Sequence, residues 1–309
     1  MSAYLQKLNE KYVSRTPHMR AIGATVTAVD KGRGTMKLPA RPDWLGDPVR
    51  GVLHPGALTV LADSACGLAV GAALDTPVPY ATLDLRMDYL RPAVPERDVF
   101  CEAECFRLSR NVAFVRAEVW QDDRADPTAA AQGTFMLSTA PGTRPPAPGA
   151  VAAPQERPAE NAAAALPPWS APDGSAPIEL ERPVPYVEFL GIRSSPTPQG
   201  TLYRMPYQEK LIGNPRLPAL HGGVVAGFGE TAALLSLIER LKGEKFPKSI
   251  DFSIDYLRSG RPEETFADCE IVRIGARVAL VQVRCWQKNP GYPIAVMRGH
   301  FLLTERDAI

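Results

Sequence analysis

Two acids stand alone on apolar, helix-length stretches, each at the same distance from a histidine. His54-Pro55-Gly56-Ala57 opens a run in which Asp63 is the only charged residue between Gly56 and Leu74. His221-Gly222-Gly223-Val224 opens another in which Glu230 is the only charged residue between Gly222 and Ile238. In both runs the acid follows the histidine by nine positions. An ionised carboxylate is costly to bury unless something pairs with it, so a lone acid on a helix with no polar face needs a reason. A carboxylate takes a proton or attacks an electrophilic carbon. Finding one twice, in register, points to such chemistry.

The elements that must hold these acids repeat with them. Residues 3–14 carry Tyr4, Leu5, Leu8 and Tyr12 at helical spacing. From Ala21 to Leu38 the pattern is β, broken by a hairpin turn at Asp30-Lys31-Gly32-Arg33-Gly34. After the first apolar helix, which runs to about Leu74, strands are expected over 82–90, 99–107, 112–120 and 129–137. The whole unit then returns. His54 maps to His221, Asp63 to Glu230, and Thr82-Leu83-Asp84 to Ser249-Ile250-Asp251 at an offset of 167 residues; Trp120 maps to Trp286 and Gly133 to Gly299 at 166. Near-constant spacing over more than a hundred residues makes the chain two copies of one α+β fold. Between Pro141 and Pro185 lie 12 of the 31 prolines, mixed with alanine. Proline fixes φ and removes donors, so this stretch reads as an extended surface linker. The expected organisation is an N-terminal domain over 1–140, a linker over 141–180 and a C-terminal domain over 181–309.

Bulk properties narrow the function. The 309 residues are 45% hydrophobic and 22% charged with a net charge near +1, which fits a globular protein and gives no footprint for nucleic acid. The five cysteines (66, 101, 105, 269 and 285) lack metal spacing, and Cys101 and Cys105 are expected to share one sheet face as small core residues. The N-terminus has no signal-peptide core, and each apolar run is rich in small residues with an acid midway, so a membrane span is not expected. A cytoplasmic location is the expectation.

With both halves on the page, each resembles the hotdog-fold acyl-CoA thioesterases, especially the phenylacetate-degradation type and the related 4-hydroxybenzoyl-CoA type. The resemblance rests on Leu220-His221-Gly222-Gly223 with Glu230-Thr231-Ala232, on Leu61-Ala62-Asp63-Ser64-Ala65 with Gly67, and on Leu83-Asp84…Asp88-Tyr89-Leu90-Arg91-Pro92. It covers both halves and leaves out only the linker. It implies a tandem double hotdog, a long helix wrapped by antiparallel sheet in each half, with one chain supplying the pair that is a homodimer in most relatives. It implies an acyl-CoA substrate, further homo-oligomerisation at most, and neither metal nor cofactor.

The resemblance also implies an active site made of the backbone N–H after the histidine and the carboxylate eight residues later. Eight helical residues rise about 12 Å, too far for both to touch one carbonyl, so the two groups must come from different halves. Gly222 is thereby paired with Asp63, and position 55 with Glu230. Position 55 is proline and has no N–H. Losing one oxyanion donor typically costs about 10²–10³-fold in rate, so one competent site and one degenerate site are expected. Asn214 is placed as a further candidate for holding the carbonyl or a water, though it lies one position further from the glycine than in the family pattern. A polar residue found four after the acid in some relatives is replaced by Gly67 and Leu234.

Other residues have plainer readings. His54, His221 and Gly223 are candidates for contacting substrate, but no Ser or Cys nucleophile has matching context, and a histidine at a turn before a helix favours a structural hydrogen bond. Arg110 and Arg277, like Arg107 and Arg273, flank hairpins where relatives meet coenzyme A phosphates, although a surface role explains them as well. Asp84, Asp88, Asp251 and Asp255 alternate along strands as solvated or cross-strand residues. A hotdog dehydratase would need a histidine on or near the helix, beyond its start, and neither helix has one. An acyl-CoA sensor would need a DNA-binding module, for which the first twenty residues are too short. The serious rival is an acyl-CoA-binding or scaffold protein with two dead sites.

Overall fold

The computed structural model describes residues 3–137, 176–177, 183–198, 200–215, 218–242 and 244–305. The first half runs α1 (Ala3–Leu8), continued by a π-helical turn Asn9–Ser14, then α2 (Pro17–Ile22), β1 (Thr25–Asp30), β2 (Arg33–Leu38), the short pair β3 (Leu45–Asp47) and β4 (Val52–Leu53), the long helix α3 (Pro55–Ala73), and β5 (Tyr80–Tyr89), β6 (Val99–Leu108), β7 (Val112–Trp120) and β8 (Ala129–Leu137). The second half repeats it: β9 (Ala176–Pro177), α4 (Pro185–Leu190), β10 (Arg193–Thr197), β11 (Gly200–Met205), the pair β12 (Ile212–Asn214) and β13 (Ala219–Leu220), α5 (Gly222–Leu241), and β14 (Lys245–Tyr256), β15 (Thr265–Ile274), β16 (Val278–Trp286) and β17 (Ala295–Glu305).

The two sets of strands form one 13-stranded sheet in the order β1-β2-β6-β7-β8-β5-β14-β17-β16-β15-β11-β10-β9. The halves join where β5 pairs antiparallel with β14. Asp88 lies opposite Asp251, Arg86 opposite Ser253, and Asp84 opposite Asp255. Since Asp84 and Asp251 are themselves equivalent positions, this register places a pseudo-two-fold axis at the Arg86–Ser253 pair. Two carboxylates facing each other across strands repel. Arg86 lies between them, 2.5 Å from Asp88 and 3.4 Å from Asp251, while His300 Nδ1 is 3.0 Å from Asp251.

Both long helices are apolar nearly all round, which requires burial on every side. They run antiparallel against each other inside the curl of the sheet, and small residues set their separation. A Cβ on Gly223 would stand 2.6 Å from Val60 Cα, and one on Gly56 would stand 2.9 Å from Gly227 Cα. Among the described residues α3 is the one helix long and apolar enough to cross a membrane, and 83% of that stretch is buried inside the fold. The architecture is the expected tandem double hotdog, with the pair of units inside one chain.

The N-terminal region differs from its expected course. The stretch 3–14 changes from α to π geometry after Leu8, and residues 17–22, expected in part as the start of a strand, form α2. Pro17 sits in its first turn, where no N–H is needed, and Gly23 ends it with φ at 68°. The linker expected over 141–180 lies outside the described residues except for Ala176–Pro177, which pairs with Arg193–Ser194 of β10. All five cysteines are free thiols; Cys101 is buried and Cys105 half-buried on β6, four residues apart.

Candidate active site

Asp63 reaches from the middle of α3 to the start of α5. Its Oδ2 accepts a hydrogen bond from Gly223 N–H at 2.8 Å, and its Oδ1 accepts one from Thr82 Oγ1 of β5 at 3.0 Å. The carboxyl is 6% exposed. Burial pushes its pKa up, and the bonds from Thr82 and Gly223 oppose that by stabilising the charged form. Gly222 precedes Gly223 as the first residue of α5, so its N–H has no intrahelical acceptor and sits at the positive end of the helix dipole. A Cβ on Gly222 would lie 2.9 Å from Asp63 Oδ2, so any larger residue there must push the carboxylate aside. Tyr256 donates to the Gly222 carbonyl at 2.9 Å and fixes that peptide from behind.

Glu230 occupies the equivalent place on α5 but with different partners. Its Oε2 accepts from Tyr89 at 2.7 Å, and Tyr89 in turn meets Thr59 Oγ1 of α3 at 2.8 Å. Its Oε1 is buried with no hydrogen-bond partner among the described residues, as is the nearby Ser249 Oγ. Burial raises its pKa to about 7, against the pull of the Tyr89 bond. The facing helix start carries Pro55 at its first position.

The two histidines are the N-caps of the long helices. His54 Nδ1 accepts from Gly56 N–H at 3.0 Å, and His221 Nδ1 accepts from Gly223 N–H at 3.1 Å. Burial lowers His54 to about 3 and His221 to about 4, so both rings are neutral at pH 7. With Nδ1 accepting, the proton resides on Nε2. That nitrogen faces Ser64 Oγ at 3.1 Å for His221, and Thr231 Oγ1 at 3.3 Å for His54. Each hydroxyl donates its own hydrogen bond to a helix carbonyl, Ser64 to Val60 and Thr231 to Gly227. Thus each histidine caps its own helix and ties it to the residue following the opposite acid.

The remaining candidates lie apart from the acids. Asn214 ends β12 and is exposed; Arg110 and Arg277 are exposed at the β6–β7 and β15–β16 hairpins. Sequence reasoning did not single out Thr82 and Tyr89 as partners of the acids, nor Ser249 as a neighbour of Glu230. The repeat contained a signal for them: Thr82 and Ser249 are hydroxyls at equivalent positions, as are Tyr89 and Tyr256. Among the described residues no group of three His, Cys, Asp or Glu is arranged to hold a metal ion.

Space is distributed unequally between the two acids. On the Glu230 side a cavity of about 430 Å³ opens beside Pro55, Leu58, Tyr89, Leu234, Ile238 and Ser249. On the Asp63 side the positions matching Leu234 and Ile238 are Gly67 and Gly71, and tyrosines pack onto them. A Cβ on Gly67 would stand 3.1 Å from the Tyr12 hydroxyl, and one on Gly71 would stand 3.0 Å from that of Tyr80. Tyr12 also donates to the Ser64 carbonyl at 3.1 Å. A larger groove of about 1030 Å³, between Glu239, Asp268, Arg284 and Trp286, touches neither acid.

Comparison with known proteins follows the same two-part division. The sequence profile of the Thioesterase superfamily matches residues 50–128 and again 217–294, together just over half of the chain. The medium/long-chain acyl-CoA thioesterase YigI of Escherichia coli K12 is 27% identical over 146 residues, which is 43% of this chain and 93% of YigI. Among solved structures, the acyl-CoA thioesterase II TesB2 of Mycobacterium marinum superposes with a TM-score of 0.60 at 12% identity, covering 92% of this chain and 96% of that one. A hot dog fold protein of unknown function from Alicyclobacillus acidocaldarius gives 0.63 at 11% identity, covering 91% and 96%. At these identities the two structures speak for the fold alone.

Proposed function

The chain belongs to the thioesterase superfamily, and from that premise we propose that it hydrolyses an acyl-CoA thioester to the free acid and coenzyme A at one site between its halves. The observation that carries this reading is the 2.8 Å bond from Gly223 of one half to Asp63 of the other, beside the N–H of Gly222, which as the first residue of α5 has no intrahelical acceptor. Gly222 N–H donates to the thioester oxygen and stabilises the negative charge that develops there, aided by the dipole of α5. Asp63 supplies the second function. It either takes a proton from water as that water attacks the carbonyl carbon, or attacks that carbon itself to give an anhydride that water then opens. Both routes break the C–S bond and release the thiol. A carboxylate whose pKa is raised by burial is the better base and nucleophile, and Thr82 and Gly223 keep it aimed.

In this reading the Pro55–Glu230 site is hydrolytically degenerate. Its helix start lacks the donor, and its acid is turned to Tyr89. The motifs around Leu220-His221-Gly222-Gly223 favour the phenylacetate-degradation type, with His221 and His54 supporting the helix starts, Asn214 assisting at the carbonyl and Arg110 and Arg277 meeting the coenzyme A phosphates. Residues 1–140 and 181–309 act as the two units, joined by 141–180.

The test is release of free thiol from a panel of acyl-CoA esters. Asp63→Asn is expected to lower the rate at least about 100-fold, the lower range for loss of a general base, while Glu230→Gln leaves most of it. The reverse pattern would move the live site to Glu230. Absence of thiol release from every ester by the wild-type chain would favour the acyl-CoA-binding scaffold.

A further inference from the structure

The two halves differ in the space they leave along the long helices. Beyond Asp63 on α3, Tyr12 and Tyr80 pack over Gly67 and Gly71. Around Glu230, the equivalent wall is Leu234, Ile238 and Pro247, and the cavity of about 430 Å³ remains. That volume lies in the range of about 300–1,000 Å³ usual for small-molecule sites. Its walls include Leu58 from α3, Val187 from α4 and Leu235 from α5, so both halves contribute apolar surface. Its rim carries three cations, Arg50, Arg91 and Lys248, against one acid, Asp47, a net positive balance. Arg50 lies over the Phe246 ring at 4.8 Å and pairs with Asp47 at 3.0 Å; Arg91 pairs with Asp126 at 2.9 Å; Lys248 is exposed on β14. An apolar interior under a positive rim fits a chain that is hydrocarbon at one end and anionic at the other.

We infer that this cavity is a second acyl-binding site, one that holds an acyl chain with an anionic end and does not cleave it. The inference rests on the reading that hydrolysis belongs to Asp63 and Gly222. The floor of the cavity explains the retention. Pro55 offers a thioester oxygen no N–H, and Tyr89 stands between the cavity and the Glu230 carboxylate by bonding to it. A bound thioester therefore meets no oxyanion donor at this helix start. The ligand is either an acyl-CoA or a free carboxylic acid, the latter being a product of the neighbouring site.

Calorimetric titration of the full chain counts the sites. The probes are a thioether analogue of decanoyl-CoA, which has no cleavable carbonyl–sulfur bond, and decanoate. Wild type is expected to bind two equivalents of at least one probe, and Asp63→Asn likewise. Leu234→Trp, which fills the cavity, is expected to bind one. Ile238→Phe provides a second, smaller filling should the tryptophan variant not fold. Decanoate binding lost on filling identifies the free acid as an occupant; loss of the thioether alone identifies the coenzyme A ester. One equivalent in wild type that persists unchanged in the filled variants would overturn the inference. If filling instead abolishes thiol release while Asp63→Asn retains it, the cavity is the hydrolytic site, and the assignment to Asp63 fails with the inference that rests on it.

Discussion

Replacing Glu230 with glutamine should change how the stability of the protein depends on pH, and the structure sets the size of the change. The side chain is 0% exposed, and only one of its oxygens has a described partner. Burial raises its pKa from 4.5 to about 7. A carboxyl group whose folded-state pKa lies above its unfolded value binds its proton more tightly when folded. Its contribution is therefore fully present below about 4.5 and is lost as pH rises through about 7. At about 1.4 kcal/mol per pKa unit, that loss is on the order of 3 kcal/mol by pH 8. Glutamine keeps the shape, can accept from Tyr89, and has no proton to lose. Between pH 5 and pH 8 the wild type should lose about 2.5 kcal/mol more than Glu230→Gln, part of the contribution being already gone at pH 5, so the variant becomes relatively more stable as pH rises. Asp63 also has a raised pKa and slopes in the same direction, but it is present in both proteins and cancels in the comparison. Urea unfolding at several pH values measures the difference directly. Parallel stability curves for the two proteins would refute the claim that burial raises the pKa of Glu230.

Two further predictions concern the helix starts. Gly222→Ala should lower thiol release about 100-fold, because a Cβ 2.9 Å from Asp63 Oδ2 must displace the carboxylate, and small misplacements of reacting groups carry penalties of that order. Its melting temperature should stay near that of wild type, since alanine is the better helix former by roughly 1 kcal/mol; a large drop in stability would mean the glycine is needed for packing instead. Pro55→Gly, made in an Asp63→Asn background, restores the missing N–H opposite Glu230 and should return measurable thiol release, below the wild-type rate. Adding Glu230→Gln should remove it again, and rescue that survives this third change would show that donor and acid do not pair.

The long elements were legible because their signals were long. An apolar run without a polar face gave α3 and α5, and alternation gave β7 and β8 at 112–120 and 129–137. The repeat then showed that both halves share one architecture, and the family resemblance identified it as the hotdog. The six-residue helices α2 and α4 were not legible from periodicity, which needs more than two turns to rise above chance. Their flanking signals were present nonetheless: Pro17 and Pro185 in the first turn, and Gly23 and Gly191 at φ of 68° and 70° after the last. The placing of Asp63 against the start of α5 followed from the active site that the family resemblance implies, taken together with helix rise. Its bond to Gly223 in place of Gly222 did not, because one residue of helix phase decides which N–H faces a carboxylate. The cavity was least legible. It arises from pairs such as Gly67 with Leu234 and Tyr80 with Pro247, whose volumes acquire meaning only once strand, helix and terminal segment are brought together.

The Arg86–Ser253 axis carries a consequence for how the protein can vary. In a homodimer built on such an axis, every substitution occurs twice, and a proline at the start of one long helix is necessarily present at the start of the other. Both catalytic centres would lose their donor together. Here the axis relates residues that are encoded separately, so each position on one side can change while its counterpart stays as it was. Tyr80 against Pro247, Gly67 against Leu234 and Pro55 against Gly222 are three such independent choices at a single geometric place. Joining the partners in one polypeptide thus lifts a symmetry constraint, so that the two helix starts and their surroundings can diverge independently.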